Sequence, residues 1–79
     1  MELSTKQKYR AVVECISRHG TATIGDMETE LGFECRGMLR KLKGDGYIRI
    51  KERHRNLAVW SVIRPYVNVP MPEAFVSEG

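Results

Sequence analysis

Apolar residues along the chain first recur at helical spacing and then alternate. Tyr9, Val12, Val13 and Ile16 fall at i, i+3, i+4 and i+7, one stripe of an amphipathic helix. Ser4 or Thr5 caps this helix, which runs to about His19, and Gly20 suits the position just past its end. Lys8, Arg10, Glu14, Ser17 and Arg18 take its polar side, where Glu14 and Arg18 form a favourable i,i+4 pair. His19 sits where a cation complements the helix dipole, so a structural role accounts for it. Thr21, Ala22 and Thr23 then read as a short extended link or one small strand.

A second helix begins after Thr23, an N-cap residue followed three positions later by Asp26. Ile24, Met27 and Leu31 give it an apolar edge, and Gly32 ends it. At about eight residues it is too short to stand alone and has to pack on the first helix. A third helix is predicted over residues 35–43. Cys35, Met38, Leu39 and Leu42 cluster on one side of it. Arg36, Gly37, Arg40 and Lys41 fall opposite, with Lys43 at the flank. Gly44, Asp45 and Gly46 turn the chain.

The period then changes to two. Ile48 and Ile50 alternate with Arg49 and Lys51, and Ala58, Trp60 and Val62 share one face of a second run. These read as two strands of an antiparallel hairpin, joined by a polar loop at 52–56 that carries Arg53, His54, Arg55 and Asn56. Trp60 is expected to cover the hairpin against the helices. From Pro65 the pattern dissolves, because Pro65, Pro70 and Pro72 exclude regular helix and central strand. Val67, Val69, Met71, Phe75 and Val76 are still apolar, so this tail packs on the domain, meets a partner or stays loose. The division is therefore a domain at 1–64 and a tail at 65–79.

Seventy-nine residues make one small domain with a thin core, too small for a two-lobed catalytic cleft. The longest apolar run is the four residues 57–60, against about 20 for a membrane span. The N-terminus has no apolar stretch of the secretory kind, so a cytoplasmic protein is expected, with no membrane partner. Two cysteines make no disulfide scaffold. Cys15, Cys35, His19 and His54 are the only thiols and imidazoles, and their spacing matches no zinc motif. No phosphate-cradling glycine loop and no nucleophile signature is present. Neither metal nor cofactor nor enzymatic activity is expected, and both cysteines read as small core residues.

The net charge is only +3, but it is unevenly placed. Residues 1–35 hold four cations and six carboxylates. Residues 36–55 hold eight cations, namely Arg36, Arg40, Lys41, Lys43, Arg49, Lys51, Arg53 and Arg55, against only Asp45 and Glu52. A net +6 on 20 residues is the footprint of a polyanion-binding surface, although a solvated face would look the same by charge alone.

The order helix, helix, tight turn, helix and basic hairpin resembles that of winged helix-turn-helix proteins. Residues 23–32, which end in Leu31-Gly32, resemble their second helix. Leu39 and Leu42, followed by Gly46, Tyr47 and Ile48, resemble the run that leads from their third helix into the wing. The resemblance covers about residues 4–63 and implies an α+β fold of three helices and a two-stranded wing. It departs at 32–39, about one helical turn shorter than in typical members, which leaves fewer base-reading side chains. It further implies that Arg36, Arg40 and Lys41 face the major groove of duplex DNA, and Gly37 and Lys43 of the same helix join them as expected DNA-binding residues. Arg53, His54, Arg55 and Asn56 would sit at the wing tip, while Arg49 and Lys51 would touch phosphates or only water. Gly37 either lets the helix backbone approach DNA or is simply tolerated there.

The expected function is that of a small bacterial or phage transcription regulator, binding double-stranded DNA as a homodimer. The rival expectation is a winged-helix protein-interaction module, such as a phage inhibitor or assembly adaptor. It would dock an acidic partner on the basic face or hold a protein partner through the C-terminal tail. RNA binding is a third reading that charge leaves open.

Overall fold

A computed structural model of the chain describes residues 3–66. Helices α1 (Thr5–His19), α2 (Ile24–Leu31) and α3 (Arg36–Gly44) precede strands β1 (Ile48–His54) and β2 (Leu57–Val62), which pair antiparallel. The fold is thus α+β, as the periodicities predict. Ser4 is the residue that caps α1: its hydroxyl accepts from the Gln7 amide at 3.2 Å, and Gln7 Oε1 accepts from the Ser4 amide at 2.9 Å. Thr23 and Asp26 make the same reciprocal pair at the start of α2.

The core is built from one face of each element. Val12, Val13, Cys15 and Ile16 of α1 meet Met27 of α2, Leu39 and Leu42 of α3, and Ile48 and Trp60 of the hairpin. Met27 is fully buried, worth about 1.5–3 kcal/mol. That exceeds the ~1 kcal/mol that a glycine such as Gly25 costs a helix, so tertiary packing is what holds this short element. Trp60 is buried beneath the helices, as its place on the inner face predicts.

The link between α1 and α2 contributes a single rung of sheet. Ala22 N–H donates to the Trp60 carbonyl at 3.1 Å, and Trp60 N–H donates to the Ala22 carbonyl at 2.8 Å. Between α2 and α3 the chain turns at Gly32, whose φ of +80° lies in the left-handed region that favours glycine. Glu28 holds both sides of this turn. Its carbonyl accepts from the Gly32 amide, and its carboxylate accepts from the Cys35 amide at 2.9 Å.

Two expectations about side chains are corrected. Glu14 accepts from Arg10 at 2.9 Å rather than from Arg18. Arg18 instead reaches across to Glu30 of α2 at 2.7 Å, because the last turn of α1 lies beside the last turn of α2. The predicted five-residue loop at 52–56 is also shorter in the structure. β1 continues to His54, so Arg53 and His54 are strand residues, and only Arg55 and Asn56 make the turn.

The root of the hairpin is tied by Arg64, which donates to the Asp45 carbonyl at 2.9 Å and lies 4.2 Å over the Tyr47 ring. Tyr66 packs against Tyr47 and Tyr9, with ring centroids 4.8 Å and 6.1 Å away. The rest of the predicted tail, residues 67–79, lies outside the described residues. Among the described residues, no helix is long and apolar enough to cross a membrane.

Candidate nucleic-acid interface

Helix α3 presents Arg36, Arg40 and Lys43 at i, i+4 and i+7, one line along its surface. This line forms one wall of a cleft of about 480 Å³ between α3 and the hairpin. Arg53 and Asn56 enter the cleft from the hairpin side. Its floor is apolar, made of Ile24, Leu39, Ile50, Leu57, Ala58 and Trp60. The helix thus supplies three cations and the hairpin a fourth, over a surface that water solvates poorly.

Arg53 reaches this cleft because the hairpin register shifts. Ile48 pairs with Val62, Arg49 with Ser61, and Ile50 with Trp60. The next pair is Glu52 with Val59, so Lys51 is the extra residue of a β-bulge. Strict alternation from Ile50 would put Arg53 on the outer face with Arg49. The bulge places it opposite Ala58 instead, on the same face as Ile48, Ile50 and Trp60.

The other predicted site residues separate into groups. Gly37 and Lys41 fall outside the cleft wall, and Lys41 pairs with Asp45 at 3.7 Å. A Cβ built on Gly37 would meet nothing within 4 Å, so no internal packing demands glycine there. Arg49 is on the outer face of the hairpin and Lys51 on the bulge. His54 lies opposite Leu57, with its Nε2 3.2 Å from Glu52 Oε2, and Arg55 occupies the turn with φ +60°. The structure therefore brings together Arg36, Arg40, Lys43, Arg53 and Asn56, and leaves Arg49, Lys51, His54 and Arg55 on the outer face and tip. Sequence reasoning missed the apolar floor of the cleft as a surface, since Ile50 and Trp60 read simply as core.

Six of the seven described carboxylates, all but Glu34, are committed elsewhere. Glu14 serves Arg10, Glu30 serves Arg18 and His19, Asp45 serves Lys41, and Glu52 serves His54. Asp26 caps α2 and Glu28 holds the turn. Among the described residues, no carboxylate pairs with Arg36, Arg40, Lys43 or Arg53. Four unneutralised cations around one cleft raise the local potential for an anion that comes from outside the chain.

No family model, curated protein or solved structure matches this chain.

Proposed function

We propose that this chain is a winged helix-turn-helix protein that binds duplex DNA through α3 and the hairpin. The observation that carries the reading is the cleft of Arg36, Arg40, Lys43 and Arg53, whose cations pair with no carboxylate among the described residues. Topology supports it: a tight turn joins α2 to α3, an extended rung between α1 and α2 pairs with β2, and the hairpin follows α3 directly. A major groove about 12 Å wide admits a helix about 10–12 Å across, and the nine residues of α3 would present about 13 Å of helix along it.

In this arrangement α3 enters the major groove and one phosphate strand runs through the cleft. Arg40, in the middle of the helix, reads base edges, since a guanidinium pairs bidentately with guanine. Lys43 and Arg53 hold phosphates from the two walls, and the apolar floor lies against the sugars. A single short helix gives little affinity, so the protein acts as a homodimer on two half-sites. The biological setting that fits is regulation of transcription in the cytoplasm of a bacterium or by a phage.

Fluorescence anisotropy on duplex DNA across a salt series tests the reading. With about five phosphates neutralised, log K falls against log salt with a slope of about −4 to −5. No binding at low salt overturns it, and an acidic protein partner for the same cleft becomes the reading to pursue.

A further inference from the structure

Cys15, His19 and Glu30 meet at the seam of α1 and α2, away from the basic cleft. Cys15 and His19 are one turn apart on α1, so both project from the same face. Glu30 comes from the last turn of α2. One donor atom from each residue lies within 4.8 Å of the other two. His19 Nε2 stands 3.1 Å from Glu30 Oε1. Arg18 occupies the other carboxylate oxygen, donating from Nη2 to Oε2 at 2.7 Å.

We propose that Cys15, His19 and Glu30 form a three-ligand site for a divalent cation of the zinc class, with water in the fourth position. Metal–ligand bonds of about 2.0–2.3 Å in a tetrahedron put donor atoms about 3.3–3.8 Å apart. The cluster therefore needs about 1 Å of closure, which His19 supplies, being half-exposed at 47 % of its side chain. The donor set selects the metal. Thiolate and imidazole favour zinc and cobalt over magnesium and calcium, which take oxygen ligands. Arg18 orients the carboxylate so that Oε1 is left for the cation, as partners of ligating carboxylates do.

Binding converts the Cys15 S–H to thiolate, forms the S–metal bond and releases one proton to solvent.

Spacing along the chain cannot reveal this set, because Glu30 joins it only through the packing of α2 on α1. The test is a cobalt(II) titration of the reduced full-length chain, read by absorbance. The expected result is one cobalt per chain, with a near-ultraviolet thiolate-to-cobalt band and visible bands of tetrahedral intensity, all bleached by added zinc. Cys15→Ala abolishes the thiolate band and Cys35→Ala keeps it. His19→Ala and Glu30→Gln change half-exposed residues and each weaken cobalt binding at least ~10-fold. These two variants decide the matter if Cys15→Ala fails to fold. Absence of a thiolate band, its survival in Cys15→Ala, or unchanged affinity in both His19→Ala and Glu30→Gln overturns the site.

Discussion

Arg53 stands directly across the hairpin from Ala58, on the face that looks toward α3. A surface cation thereby shares a face with Trp60 and Ile50, and the bulge at Lys51 is the cause. The hairpin is therefore built as an opposing wall to the helix, with its charge turned inward as well as outward.

Deleting Lys51 tests this register. Removal of the extra residue lets Glu52 follow Ile50 with no change in the pairs beyond it, so Arg53 stays opposite Ala58. The expected variant folds and still binds DNA, with weakening no greater than the loss of one outer-face cation. A loss of binding as large as that of Arg53→Ala would show that the bulge matters for some reason other than register.

Gly37 occupies an exposed helical position with open space around its missing Cβ. Gly37→Ala is expected to stabilise the fold by about 0.5–1 kcal/mol, a rise of a few degrees in Tm. It is also expected to weaken DNA binding, because a methyl group holds the helix backbone off the groove. Stabilisation with unchanged binding would make Gly37 a merely tolerated residue.

Arg55 carries a left-handed φ of +60° in the two-residue turn, a conformation that costs a residue with a Cβ about 1 kcal/mol. Arg55→Gly is expected to stabilise the hairpin by about that amount in urea melts while lowering DNA affinity. A destabilised variant would contradict the account of the turn.

The two core thiols set the alkaline limit of stability. Burial is the first cause for both: it pushes Cys15 up to about 12 and Cys35 up to about 11 from the ordinary 9.0. Burial also raises Tyr66. Above pH 9.0 the unfolded chain gives up thiol protons that the native chain keeps. Stability is thus full below that pH and falls as pH rises toward 12. The loss is on the order of a few kcal/mol, measured as a drop in the urea midpoint between about pH 8 and about pH 11. The Cys15→Ala/Cys35→Ala chain is expected to lose most of this slope, and an equal slope would contradict the cause.

Much of the architecture was legible because local chemistry and tertiary packing agree. Ser4, Thr23 and Gly32 mark helix ends by rules that act within four residues, and the core stripes of α1 and α3 follow from their period. The failures lie where distant parts of the chain compete. Glu14 and Arg18 are spaced to pair, but Glu30 arrives from α2 and takes Arg18. The sequence pattern puts Arg53 in a five-residue loop, but the hairpin inserts a bulge and extends β1 to His54. Tyr66 carried no pattern at all, and only the tertiary fold sets its ring against Tyr9 and Tyr47. At the candidate site, the cations of α3 were legible from charge and helical spacing, whereas the wall that faces them was not.

The salt dependence of duplex binding in Arg40→Ala/Arg53→Ala, beside the unaltered chain, bears most directly on the cleft. Each phosphate contact contributes about −0.9 to the slope of log K against log salt. If Arg40 contacts a base and Arg53 a phosphate, the double variant loses affinity, its slope flattens by about 1, and discrimination between sequences falls. An unchanged slope and affinity would contradict the account, because two cations facing each other across the proposed binding cleft cannot be removed without effect.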